Sequence, residues 1–274
     1  RAEALGLEFK IPHVCDSVKS LYEKTKADVV VVAVTETSIR SIVSECYEFP
    51  WAVFMEKPPG IDYEEALALE NAAASLKRNV YVGLNRRFNS STLQVKAALD
   101  QEGGRRYIHV LDQEDPEAAG KAFGYSRAIL DNWMYANSIH MIDYLVHLGR
   151  GQITDVQTTI PWNAQRGLVM AKIEFDSGDV GVYEGIWGAP APWIISVSTP
   201  QKRWEMRPLE QASYQNYGER KQNPLTIDKV DSDFKAGFYR QAENVIAALS
   251  GNPSSIPTLK DALRTVELIH KIFN

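Results

Sequence analysis

The sequence predicts an α/β protein in two parts. An N-terminally incomplete Rossmann-type parallel sheet comes first, and an α+β domain with an open, mostly antiparallel sheet follows. Three observations carry this. Short apolar runs alternate with helix-period segments over residues 1–86. Extended runs joined by tight turns dominate residues 153–207. Apolar residues make up 45% of the 274 positions, enough to bury a sizeable core.

The elements of the first part follow in order. Residues 17–26 read as a short helix with Val18, Leu21 and Tyr22 on one side. Residues 27–34 hold the unbroken run Val29-Val30-Val31-Val32-Ala33-Val34, the pattern of a strand covered on both faces. Glu36-Thr37-Ser38 opens a helix carrying Ile39, Ile42, Val43 and Cys46, and Pro50 ends it. Residues 51–55 form the next strand, Glu56-Lys57-Pro58-Pro59-Gly60 a loop, and Asp62 caps a helix over 63–77. Residues 79–84 form a third strand. A dinucleotide fold starts one unit earlier, with a strand, a Gly-rich turn and a helix. The chain is therefore expected to begin inside the cofactor domain, with a G-x-G-x-x-G-like turn encoded upstream of Arg1.

The second part reads as a helix over 90–102 closed by Gly103-Gly104, a strand over 105–111, and a polar loop over 112–125. A helix follows over 137–148, capped by Asn137 or Ser138. Extended runs cover 153–162, 168–175, 180–187, 193–199 and 202–207, with Asp176-Ser177-Gly178-Asp179 as a hairpin turn. Residues 209–233 read as a long irregular segment near a site, and residues 238–249 and 257–273 as helices. The boundary is set at 1–86 for dinucleotide binding and 87–274 for substrate binding and oligomerisation.

Composition excludes several classes. A net charge of −5 with only short basic clusters leaves no footprint for nucleic acid. No apolar run approaches the length of a membrane span. Two cysteines, Cys15 and Cys46, suit a reducing, cytoplasmic setting. The five histidines are scattered and show no metal-ligand spacing, so no metal is expected.

The ordered set Val34-Thr35, Val53-Phe54-Met55-Glu56-Lys57-Pro58, Val82 to Phe88, His140-Met141-Ile142-Asp143, Phe175 to Gly178 and Pro257-Thr258 carries a resemblance. Over essentially its whole length the chain resembles the glucose-fructose oxidoreductase, inositol dehydrogenase and rhizopine-catabolism family of NAD(P)-dependent sugar oxidoreductases. The resemblance implies a dinucleotide domain, a second domain on an open sheet, and an active site between them.

It also implies residue roles. Lys57 becomes the catalytic lysine; a position just past a parallel strand is where doubly wound folds bind ligands, and an amine there can move a proton. His140 becomes the substrate-binding and acid–base histidine; the competing reading is a helix histidine paired with Asp143. Thr35, Glu36, Glu56, Lys57, Pro58 and Asn85 become cofactor contacts, with Glu36 standing where many members have proline. The chain departs from the family at Ala136 and Ser138, where many members carry aspartate and glycine. Asp131, Tyr135 and Asn137 are nearby stand-ins, Tyr135 first of all as a packed aromatic. Arg86 or Arg87 reaches the site or pairs with an acid, and Trp162, Asn163 and Arg166 meet substrate or pack a turn.

The expected function is hydride transfer between NAD or NADP and a secondary alcohol or ketone of a sugar, cyclitol or nucleotide sugar. The alternative is a non-catalytic dinucleotide- or sugar-sensing regulator of the same fold. Expected partners are that small substrate and further copies of the chain, as a homodimer or homotetramer through the second sheet, with no nucleic acid and no membrane.

Overall fold

The computed structural model describes residues 2–274. The apolar runs of the first part become β1 (Val29–Val32), β2 (Ala52–Glu56) and β3 (Val80–Gly83), parallel and ordered β1-β2-β3. Parallel pairing needs a crossover between strands. Helices α3 (Ile39–Cys46) and α4 (Tyr63–Ser75) supply it, while α1 (Ala2–Glu8) and α2 (Val18–Thr25) precede β1. Local chemistry starts these helices as read: the Ser17 side chain accepts from the Ser20 amide at 3.1 Å, and Asp62 from that of Glu65 at 2.9 Å. Because all three strands run one way, their carboxyl ends open at one edge. The far edge of β3 is met by the chain's last loop, where the Val82 amide donates to the Pro257 carbonyl and Tyr81 bridges Thr258.

The second sheet has eight strands in the order β11-β10-β9-β8-β4-β7-β6-β5. They are β4 (Tyr107–Glu114), β5 (Ile153–Asn163), β6 (Leu168–Phe175), β7 (Val180–Trp187), β8 (Ile194–Ser198), β9 (Lys202–Met206), β10 (Ser213–Asn216) and β11 (Asn223–Pro224). Every pairing is antiparallel except β4 with β7. On one face pack α5 (Ser90–Gln101), α8 (Ile139–Leu148) and α11 (Leu259–Phe273). The other face keeps alternate side chains such as Met170, Val182 and Leu111 half-exposed. One continuous core joins both sheets, from Val53 and Met55 through Ile139 and Ile142 to Ile269. Each such fully buried aliphatic contributes roughly 1.5–3 kcal/mol.

Three segments depart from the sequence expectation, each because a tertiary partner changes it. Strand β4 runs on to Glu114 where a loop was expected from Asp112, and the rest of that loop holds α6 (Pro116–Phe123) and α7 (Arg127–Asp131). The helix expected to start at Asn137 instead begins with a π-helical turn over Met134–Ser138, and neither Asn137 nor Ser138 caps it. The irregular stretch 209–233 contributes β10, β11 and the short helix α9 (Val230–Asp233) ahead of α10 (Phe238–Leu249). No helix among the described residues is long and apolar enough to cross a membrane.

Candidate active site

Lys57 follows the last residue of β2 at the open carboxyl edge. Its Nζ donates to the Ala136 carbonyl at 2.6 Å, which ties the parallel sheet to the turn ahead of α8. Burial pulls the amine below the ordinary lysine range, opposed first by the negative charges of Glu36 and Glu56. The amine thus moves toward the range in which it can give and take a proton.

His140 stands in the first turn of α8. Burial, then the charges of Lys57, Arg86 and Lys235, push its pKa well below the usual histidine value, so the ring is neutral. Its Nδ1 is buried with no hydrogen-bond partner among the described residues. Trp193 stands beside it, with ring centroids 6.4 Å apart, and Arg86 lies 5.8 Å from the Trp193 ring. Asp143 does not pair with His140. It takes a bidentate bond from Arg87 at 2.6 and 2.7 Å and a third from the Thr265 hydroxyl at 2.7 Å. That settles the two arginines. Arg87 clasps α8, whereas Arg86 faces the His140 side and pairs with Glu210 at 2.5 Å.

Two groups were missed from the sequence. The first is a buried carboxyl pair. Strand β4 alternates inward through Ile108, Val110, Asp112 and Glu114, and all four are buried. The signal was present as an unbroken period of two, but acids at inward positions read as loop. The Tyr183 hydroxyl donates to Asp112 at 2.7 Å, and Trp133 and Asn137 donate to Glu114. The second is Lys235, whose charge acts on Glu56, Lys57 and His140 alike. Its segment is pressed onto the end of β3. The Asn85 amide donates to the Ala236 carbonyl at 3.3 Å, and a Cβ on Gly237 (φ +80°) would come within 2.2 Å of the Asn85 carbonyl oxygen. Only glycine fits that approach. No local pattern marks this contact between residues so distant in sequence.

The other expected site residues divide cleanly. Thr35 is exposed at the end of the β1 run, its hydroxyl bonded within its own turn to Ser38 at 3.1 Å, and Glu36 is half-buried beside it. Glu56 and Pro58 flank Lys57, and burial raises the Glu56 carboxyl. Asn85 is buried at the same edge. Asp131 is exposed and paired with Arg127, away from the site. Tyr135 is a packed aromatic whose hydroxyl lies 3.4 Å from His270. Trp162 packs on Trp187 and Phe273, and Asn163 accepts from the Gln165 and Arg166 amides, so this segment builds a turn. A cleft of about 480 Å³ opens beside the site, lined by Glu114, Tyr125, Trp133, Asn137 and Trp193 among others. Among the described residues no cluster of His, Cys, Asp and Glu is placed to hold a metal ion.

Residues 1–84 match the Gfo/Idh/MocA oxidoreductase family, described by its NAD-binding Rossmann fold. No curated protein matches the chain. Among solved structures it is similar to a dehydrogenase from Chromobacterium violaceum, with 18% identity, TM-score 0.81, and coverage of 99% of this chain and 84% of the other. It is also similar to the UDP-N-acetylglucosamine 3-dehydrogenase of Acidithiobacillus ferrooxidans, with 14% identity, TM-score 0.78, and coverage of 99% and 85%. A third is an inositol dehydrogenase homologue from Azotobacter vinelandii, complexed with NADH and myo-inositol, with 16% identity, TM-score 0.72, and coverage of 99% and 83%. At these identities the likeness shows the fold.

The alanine at position 136, where the sequence departs from the pattern it resembles, has a structural reason. In an unbroken α-helix, position 136 would sit one turn below His140 on the same face. The π-helical turn over 134–138 breaks that phase. Ala136 is buried and packs with Ile129 and Trp133, and its carbonyl is what meets Lys57. Ala136→Asp is therefore expected to lower stability by about 1–3 kcal/mol through an unsatisfied buried acid. The added negative charge also raises the pH at which Lys57 deprotonates. Thermal unfolding and lysine-specific trace acetylation across pH check both.

Proposed function

We propose that the chain is an NAD(P)-dependent oxidoreductase that moves hydride between the nicotinamide and a secondary alcohol or ketone of a sugar, cyclitol or nucleotide sugar. The observation that carries this is the convergence of a half-buried lysine with lowered pKa and a neutral histidine with an unpartnered Nδ1, at the carboxyl edge of a parallel sheet. Titrating groups shifted by burial and gathered at a ligand-binding edge mark a reaction site.

The residues present fit a dinucleotide. Thr35, Glu36, Glu56, Pro58 and Asn85 line the strand ends that such a molecule crosses, and the buried unpartnered His140 Nδ1 suits a substrate hydroxyl. When bound, the nicotinamide supplies the hydride acceptor or donor. In the oxidation direction the carbinol C–H bond breaks with its electron pair leaving as hydride. The hydroxyl proton passes to neutral Lys57 Nζ, and the C=O double bond forms. His140 binds and orients the same oxygen, and Lys235 and Arg86 place positive charge around it. Similarity to a UDP-N-acetylglucosamine 3-dehydrogenase and to an inositol dehydrogenase homologue complexed with NADH and myo-inositol supports the substrate range and the cofactor. We assign dinucleotide binding to 1–86 and substrate binding to 87–274. The half-exposed face of the second sheet is assigned to a homodimer or homotetramer, and the two free cysteines support a cytoplasmic setting.

The test is the absorbance of reduced nicotinamide with NAD and NADP against a panel of sugars, cyclitols and nucleotide sugars. Turnover with at least one is expected, and His140→Asn lowers kcat by about 10²-fold or more. Tight dinucleotide binding with no turnover across the panel leaves the sensing alternative instead.

A further inference from the structure

The hydride-transfer reading leaves Asp112 and Glu114 without a task, although both are buried at the inner end of β4. Glu114 is only 3% exposed, and its carboxyl is engaged by two donors. The Trp133 indole N–H donates to Oε2 at 2.5 Å, and the Asn137 amide donates to Oε1 and Oε2 at 3.0 and 2.9 Å. Trp133 immediately precedes the π-helical turn, and Asn137 lies within it. Between them is Ala136, whose carbonyl takes the Lys57 ammonium at 2.6 Å. One carboxyl therefore grips both ends of the backbone segment that holds the reactive amine.

We propose that Glu114 is a positioning residue for Lys57: it pins the 133–137 turn so that a backbone carbonyl takes the place of a carboxylate side chain at position 136. The device explains how the lysine is held although position 136 is alanine. A π-helical turn is a local irregularity that needs outside support to persist, and such turns gather at functional sites. The support here comes from a strand of the second sheet, so the pin also couples that sheet to the open edge of the first. The kinetic consequence rests on the oxidoreductase reading, whereas the geometric one does not.

The groups facing Glu114 define its charge. Asp112 faces it along β4, Tyr183 reaches Asp112 from β7, and Lys57 approaches from the loop after β2. Ser138 belongs to the turn itself. Burial, then the negative charge of Asp112, raises the Glu114 carboxyl above the ordinary carboxylate range, which favours its neutral acid form. Asp112 Oδ1 has no hydrogen-bond partner of its own to donate to it, which suits a shared proton. Glutamine is the isostere of that neutral acid. It keeps an acceptor for Trp133 and can meet a flipped Asn137 amide.

The experiment is competitive trace acetylation of the purified chain with acetic anhydride from pH 7 to 11, read at Lys57 by peptide mass spectrometry. Glu114→Ala is expected to change the reactivity and apparent titration of Lys57, and Glu114→Gln to restore both. Where the enzyme assay is active, Glu114→Ala lowers kcat by about 10²-fold, the scale of a small misplacement, more than it raises KM. Glu114→Gln recovers most of it. Should Glu114→Ala not fold, the paired change Trp133→Phe with Asn137→Ala removes the same donors and must alter Lys57 labelling in the same way. Unchanged Lys57 labelling in folded Glu114→Ala, or in the folded Trp133→Phe with Asn137→Ala variant, overturns the proposal. Altered labelling in a chain without turnover supports the pin while overturning the oxidoreductase reading.

Discussion

Replacing Lys57 with methionine is expected to lower kcat for hydride transfer by about 10²–10⁴-fold, the range of general acid–base catalysis. The substitution removes the one amine at the end of β2 that burial has brought toward a usable pKa. It also removes the bond to the Ala136 carbonyl. Lys57→Arg is not expected to rescue it, because a guanidinium keeps its proton at every accessible pH. Alcohol oxidation needs the neutral amine, so in the wild-type chain the rate climbs as pH rises through the Lys57 pKa. That climb lies below the pH of an ordinary lysine, because the folded pKa is lowered. It disappears in Lys57→Met. Stopped-flow absorbance of reduced nicotinamide across pH reads both effects, and a retained climb in Lys57→Met assigns the proton transfer to another group.

The largest stability effect is expected at Asp143. Its carboxylate is buried and held by the Arg87 fork and the Thr265 hydroxyl, which joins the loop after β3 to α8 and α11. Asp143→Ala leaves a buried guanidinium unpaired and is expected to cost about 3–5 kcal/mol in urea unfolding. Opposed by burial, the Arg87 charge and then its hydrogen bond hold the Asp143 pKa below the usual carboxylate value. Its contribution is therefore complete above the unfolded value of about 3.9 and is lost as pH falls through the folded one. Beside it, burial and then the Arg87 charge lower His147 to about 3. Below about pH 6.5 the unfolded chain binds a proton there that the folded chain refuses, so stability declines toward acid. His147→Gln is expected to remove that part of the decline between about pH 6.5 and 3. Urea unfolding at pH 7, 5 and 4 measures each slope.

Lys57 and His140 were singled out by the resemblance, and each lies beside a strong local pattern. Lys57 comes directly after the strand Ala52–Glu56, and His140 stands in the first turn of a buried helix. Asp143 was legible as a charged partner on the wrong residue. Spacing of three on a helix suggested His140, whereas Arg87, 56 positions earlier, reaches it with better geometry. Glu114 was hidden because burial of an acid is decided by donors that arrive from elsewhere, and Trp133 and Asn137 are 19 and 23 positions away. Lys235 lay in a stretch with no periodic pattern, and only its docking on Asn85 brings it to the site.

The sequence by itself determined the two sheets and the strand ends that form the open edge. Those features depend on period, composition and capping, which act over a few residues. Only the tertiary structure decided how the lysine is held. A helix pattern places residue 136 on the face of His140, and the π-helical turn removes it. A buried carboxyl on β4 accepts from Trp133, just ahead of that turn, and from Asn137 within it. Its buried polar bonds, paid for by packing around them, depend on long-range partners, and local sequence carries no record of where those partners are.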